Sequence, residues 1–254
     1  MAEPGSFGPP SPEPPLPPPY LGTDLPPPTG SGKRFPWSPL KPSDAFLGFL
    51  LVFFGLAIAG GIILSVVDKE PDATLISLVP QGLLFIGVPI YMASRRVTSR
   101  PWRVMGYVPF KFSHLGLVAA AMGAQIVITI AFTALFFTPE QDTLVEDVEF
   151  NETTLTAIAT VFLIVIAAPI TEETLFRGLF FGALRSRTPF WVAAGLSGIV
   201  FGSVHLGAGD VAVAGLLACL GVILAWLYER TGSLGPPIVL HTVNNSIAII
   251  PLLS

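Results

Sequence analysis

Between Ala45 and Val67 the chain carries no charged side chain, and six later stretches are nearly as apolar. About 20 consecutive apolar residues are what a helix needs to cross a bilayer. In hydrocarbon every backbone N–H and C=O must be satisfied within the element itself, so runs of this kind fold as helices. That requirement sets the fold class: an all-α polytopic membrane protein. Composition agrees. Charged residues are 12% of the 254 and mean hydropathy is +0.71, whereas a soluble domain is about 25% charged.

Seven transmembrane helices are expected, at about 45–67, 74–93, 114–137, from 155 past Gly182 to the arginines at 185 and 187, 190–208, 211–228 and 234–253. The range is six to eight, because the fourth segment is long enough to split. Pro80 and Pro89 should kink the second and Pro169 should bend the fourth. The pairs Gly178/Gly182 and Gly198/Gly202 suit close helix approach, and are expected to draw the fourth and fifth segments together. Residues 1–43 hold fifteen of the 26 prolines. They read as a disordered Pro-rich tail, separate from a multi-span domain at 44–254. Pro17-Pro18-Pro19-Tyr20 within it has the form of a polyproline recognition motif. The start lacks a basic stretch followed by an apolar run, so no cleavable signal peptide is expected.

Loop charges give an orientation. Arg95, Arg96, Arg100, Arg103 and Lys111 fall in one loop, with Trp102 and Tyr107 as expected interface anchors. The 138–154 loop has six acidic residues and no basic one. The positive-inside rule places the tail and the arginine-rich loop in the cytoplasm and the acidic loop outside, in a bacterial plasma membrane. Basic residues are too few and scattered for nucleic-acid binding. The single cysteine, Cys219, excludes an intrachain disulfide and a cysteine metal cluster.

Against this background Thr171-Glu172-Glu173-Thr174-Leu175-Phe176-Arg177 stands out, because it puts two carboxylates and a guanidinium into apolar sequence. Ionisable groups at membrane depth are costly and mark functional sites. Glu173 and Arg177 are i,i+4 and can neutralise each other. Glu172 is turned about 100° away and is left as the chemically available carboxylate. Two of the three histidines, His205 and His241, also lie in apolar segments. Asn245 follows His241 by one turn, with Asn244 as a rival on that face. Such a set could deprotonate a water for attack on a carbonyl. One histidine would help to activate the water, and the other, with the amide, would stabilise the oxyanion. Equally, Glu172, His205 and His241 could hold a divalent metal such as zinc, since two histidines and a glutamate with an open position form a catalytic zinc pattern. The sequence leaves both open. It has no His-Glu-x-x-His motif and no aspartate in its apolar segments.

Glu172-Glu173-x-x-x-Arg177, Phe201-x-x-x-His205 and His241-x-x-x-Asn245, in this order on successive segments, resemble the three motifs of the CPBP family. That family groups type II CAAX prenyl proteases with bacteriocin-processing and Abi proteins. The resemblance covers about residues 155–250. It implies an intramembrane metalloendopeptidase in which Glu172, His205, His241 and Asn245 are catalytic and Glu173 and Arg177 support them. A metal-free, glutamate-activated water is also argued for the family. The implied substrate is a membrane-associated peptide or protein, in some members prenylated at a CAAX terminus, and the other partner is the bilayer. Two other classes compete: a catalytically silent immunity or scaffold protein, and a small proton-coupled transporter. Nothing in the sequence sets the oligomeric state. Counted at ~1.5 Å per residue from the basic turns, Glu172 and His241 are expected to lie shallow, with His205 about 20–25 Å deep, at odds with a shared site.

Overall fold

The computed structural model describes residues 38–66, 70–97, 99–136, 154–206 and 211–250, and leaves out the side chains of 70–78 and 154–157. The tail through residue 37, most of the acidic loop and residues 251–254 fall outside this description. Every described segment is helical or a connection between helices. We number the helices α1 (Pro42–Val66), α2 (Glu70–Ser94), α3 (Pro101–Val104), α4 (His114–Phe136), α5 (residues 154–185), α6 (Phe190–Ser203), α7 (Val211–Thr231) and α8 (Gly235–Ile249).

Among the described residues four helices are long and apolar enough to cross a membrane: Pro42–Val66, His114–Leu135, Ile158–Arg185 and Val211–Thr231. One of the expected spans is shorter as an apolar helix, Phe190–Ser203. The fifth expected span therefore stops before His205. Large apolar side chains cover the outward faces of α1, α2 and α4, among them Phe46, Phe53, Ile58, Leu83, Val127 and Leu135. In water such continuous apolar surface would be a liability, whereas in lipid it is the wetted face. The chain is an integral membrane protein.

The centre of the fold is α5. Every residue from Thr171 to Leu179 is buried, with α1, α2, α6, α7 and α8 packed around this stretch. The helix is not uniform: Leu163–Ala167 and Thr174–Phe181 are π-helical, and α-helical turns lie before, between and after them. The expected bend at Pro169 is answered by the first π stretch. Proline has no N–H to donate, and its ring clashes with the carbonyl four residues back. Widening the preceding turn relieves the clash without ending the helix. Similarly, α2 runs on through Pro80 and Pro89.

The glycine pairs serve a different contact from the expected one. A Cβ at Gly198 would lie 2.6 Å from the Ala218 carbonyl, and one at Gly221 would lie 2.8 Å from Gly198 Cα. Gly202 faces the Ala214 carbonyl more closely still. These glycines let α6 and α7 touch backbone to backbone. Gly178 packs instead on Met105, in the connection after α3. The fourth and fifth apolar segments are thus neighbours, but the tight glycine seam joins the fifth and sixth.

Two ion pairs tie helix ends together. Arg96 forks onto Asp44, with Nη2–Oδ1 at 2.7 Å and Nε–Oδ2 at 3.0 Å, which ties the end of α2 to the start of α1. Asp44 also accepts the Lys41 N–H at 2.8 Å. Arg185 forks onto Glu229, tying the end of α5 to the end of α7.

Candidate active site

Three helices bring polar groups to one place inside the bundle. From α5, Glu173 and Arg177 meet at 2.9 Å, both side chains fully buried. The expected neutralising pair is present, but Glu173 does more. Its Oε1 also lies 3.0 Å from Nδ1 of His241 on α8. A carboxylate oxygen can only accept, so His241 donates its Nδ1–H there. That fixes the tautomer and turns Nε2 away from Glu173. Nε2 then faces Glu172, whose Oε2 lies 3.8 Å off. This is too long for a direct hydrogen bond and suits one shared water. Glu172 keeps 8% of its surface exposed and His241 3%, so the gap between them borders the outside while Glu173 does not.

Two further contacts hold Arg177. Its Nη2 donates to the Gly221 carbonyl at 3.1 Å, in the glycine seam of α7. Its Cζ stands 4.6 Å from the Phe201 ring centroid, a cation–π contact that is strongest where water is excluded. Thr174 donates to the Ile170 carbonyl at 2.6 Å, and the Tyr107 hydroxyl bonds Thr174 Oγ1. Burial pushes the Tyr107 phenol above its ordinary value, and the bond to Thr174 opposes that shift. Tyr107 was expected as an interface anchor. It instead reaches from the arginine-rich connection to the residue after Glu173.

His205 follows the end of α6, where Nδ1 is 2.7 Å from the Phe201 carbonyl. The carbonyl accepts, so His205 also carries its proton on Nδ1, capping the helix, and Nε2 is left free. The expected depth mismatch is absent. The Phe201 ring lies 5.0 Å from the His205 ring and 5.7 Å from the His241 ring. The run from Glu172 to Arg185 is nearly as long as the return from Phe190 to His205. Both residues therefore lie the same distance from the turn that joins α5 to α6. The error lay in treating Glu172 as shallow.

Asn245, expected as an oxyanion donor, also has a backbone partner. Its Nδ2 donates to the Ile164 carbonyl in the first π stretch at 3.0 Å. Its Oδ1 is 3.4 Å from Nδ2 of Asn244. The structure thus gathers Glu172, Glu173, Arg177 and His241, sets His205 beside them across Phe201, and bonds one N–H of the Asn245 amide to backbone.

Among the described residues no three His, Cys, Asp or Glu side chains are placed to share a metal ion. Glu172 and His241 converge, and Nδ1 of His241 is taken by Glu173 and Nδ1 of His205 by the Phe201 carbonyl; this leaves each Nε2 as the ligand atom, so Glu172, His205 and His241 are the residues that would hold a metal.

Phe201 is the residue whose role the sequence hid. It appeared as the first letter of a motif and turns out to be the ring on which Arg177 and both histidines rest. An aromatic residue in an apolar helix carries no signal of that kind.

This arrangement can be set beside known proteins. Residues 154–247 match the family described as "Type II CAAX prenyl endopeptidase Rce1-like". The match takes in the site-bearing segment. It opens at the first turn of α5 and closes within α8, so it contains every residue of the cluster except Tyr107. Among curated proteins, the "Putative membrane peptidase YdiL" of Bacillus subtilis (strain 168) is 38% identical over 85 residues, 34% of this chain and 34% of that protein. An "Uncharacterized 24.3 kDa protein" of Escherichia coli is 30% identical over 95 residues, 37% of this chain and 44% of that protein. The chain therefore spans well under half the length of the curated relatives it matches. No solved structure matches it significantly.

Proposed function

We propose that the chain is an intramembrane endopeptidase in which Glu172 and His241 activate a water. The observation that carries this reading is the 3.8 Å gap between Glu172 Oε2 and His241 Nε2, with His241 locked from behind by Glu173 at 3.0 Å. Both facing atoms are acceptors, so the group that fits between them is a donor with two hydrogens. A water there donates to both. Glu172 takes one proton as the water oxygen forms a bond to the scissile carbonyl carbon, and the carbonyl π pair moves to oxygen. His205, when protonated, donates from its free Nε2 to that oxyanion. Collapse breaks the C–N bond, and Glu172 returns its proton to the leaving amine. No step requires a metal.

The Rce1-like match and the peptidase name of one relative support hydrolysis of a peptide bond in a membrane-associated substrate. A prenylated CAAX-type peptide is the substrate class to try first, because the lipid would partition such a peptide to the depth of the site. The bacterial plasma membrane, with the amino terminus cytoplasmic, is the proposed setting. The test compares purified wild type with Glu172→Gln in detergent on a prenylated CAAX peptide. We expect wild type to cleave it and the variant to lose about 10²–10⁴ in kcat. A folded wild type that leaves both prenylated and unprenylated membrane peptides intact would refute the reading.

A further inference from the structure

The Asn245 amide answers a defect that the chain itself creates. In the π stretch Leu163–Ala167 the amide of Ala168 donates to the Leu163 carbonyl, five residues back. In that register the donor due to Ile164 is residue 169, which is Pro169 and has no N–H. The Ile164 carbonyl is left without its backbone partner inside an apolar segment, where an unpaired carbonyl is costly. Asn245 Nδ2 reaches that oxygen from α8 at 3.0 Å.

We infer that Asn245 is a positioning residue whose side-chain amide replaces the N–H that Pro169 lacks, locking α8 to the π stretch of α5. Glu172 and Glu173 occupy the turn directly after Pro169. His241 lies one turn before Asn245 on α8. The bond from Asn245 to Ile164 therefore joins the His241–Glu173 bond in holding the two sides of the Glu172–His241 gap in register. The consequence for catalysis rests on the peptidase reading, whereas the capping of Ile164 does not.

The test is a four-protein cycle: wild type, Asn245→Ala, Pro169→Ala and the double variant, each full length in the same detergent. Pro169→Ala restores a backbone N–H at the position that Ile164 lacks. Asn245→Ala in the wild-type background should lower Tm by roughly 3–8 °C. In the Pro169→Ala background the same change should cost less than half of that. On a prenylated peptide, kcat should fall about 10–100-fold in Asn245→Ala with KM little changed, and the double variant should recover most of it. A residue acting on the oxyanion would behave otherwise, because restoring a backbone amide at residue 169 could not replace it. Equal Tm losses in both backgrounds, or a kcat loss that persists unchanged in the double variant, overturn the proposal. If wild type cleaves nothing, the peptidase reading fails on its own, and the Tm coupling still decides whether Asn245 caps Ile164.

Discussion

His241 Nδ1 and Arg177 Nη1 both bond the same oxygen of Glu173, at 3.0 and 2.9 Å. One carboxylate oxygen thus neutralises a buried guanidinium on its own helix and orients an imidazole on another. The other Glu173 oxygen and Arg177 Nε are buried without a partner among the described residues, so neither group has a spare bond to fall back on. Removing either charge leaves the other stranded where water cannot reach.

Arg177→Met should therefore be among the most damaging single changes in the chain. Breaking a fully buried pair by removing one partner costs about 3–5 kcal/mol. The second substitution, Glu173→Gln added to Arg177→Met, removes the stranded charge and should recover a large part of that loss. Unfolding of the four proteins of this cycle in detergent measures the coupling. A purely additive result would mean that the pair contributes nothing as a pair.

Tyr107→Phe and Thr174→Val probe how the connection after α3 holds α5. Each removes a hydroxyl from the Tyr107–Thr174–Ile170 chain while keeping the shape. Each should cost about 1 kcal/mol, the net worth of one hydrogen bond. The double variant should cost less than the two singles combined, because both break the same bond. Thermal unfolding reads this directly, and two independent losses would show that Tyr107 acts elsewhere.

Some of this was readable in the sequence and some was not. The all-α membrane fold followed from apolar run length, since the backbone has no other way to satisfy itself in lipid. The Glu173–Arg177 pair followed from i,i+4 spacing, and it survives although a π stretch begins at Thr174. What failed was arithmetic across the α5–α6 turn, because depth depends on where the chain reverses, and a list of residues does not mark that point. The π turns were invisible for a different reason. The first is met at Ile164 by Asn245, which lies far away in sequence, and the second, Thr174–Phe181, contains no proline to mark it.

Chelation offers a separate test of the chemistry. The side chains around Glu172 do not form a three-ligand set, and the proposed water activation uses Glu172 and His241 alone. Peptide cleavage by the purified protein should stay within about twofold after exhaustive treatment with a strong chelator, a change worth well under 1 kcal/mol of barrier. Loss of activity that returns on adding back zinc would show that the site closes around a metal and that His205 moves to complete it.

The α6–α7 seam predicts a graded glycine series. A methyl group at Gly198 meets the Ala218 carbonyl at 2.6 Å and Val222 Cγ2 at 2.9 Å. The first is helix backbone and cannot yield without the helices moving apart. Gly198→Ala should cost about 1–3 kcal/mol as overpacking. It should also loosen the Arg177–Gly221 bond, because Gly221 abuts Gly198 across the seam. At Gly61 on α1 nothing lies within 4 Å of the added methyl. There the higher helix propensity of alanine should give about 0.5–1 kcal/mol of stabilisation. Gly178→Ala falls between, since its neighbours are the Met105 carbonyl at 3.1 Å and a flexible Met105 side chain. Melting temperatures in one detergent should rank Gly61→Ala above wild type, then Gly178→Ala, then Gly198→Ala. If Gly198→Ala melts with wild type, the backbone contact between α6 and α7 is not what holds Phe201 under the histidines.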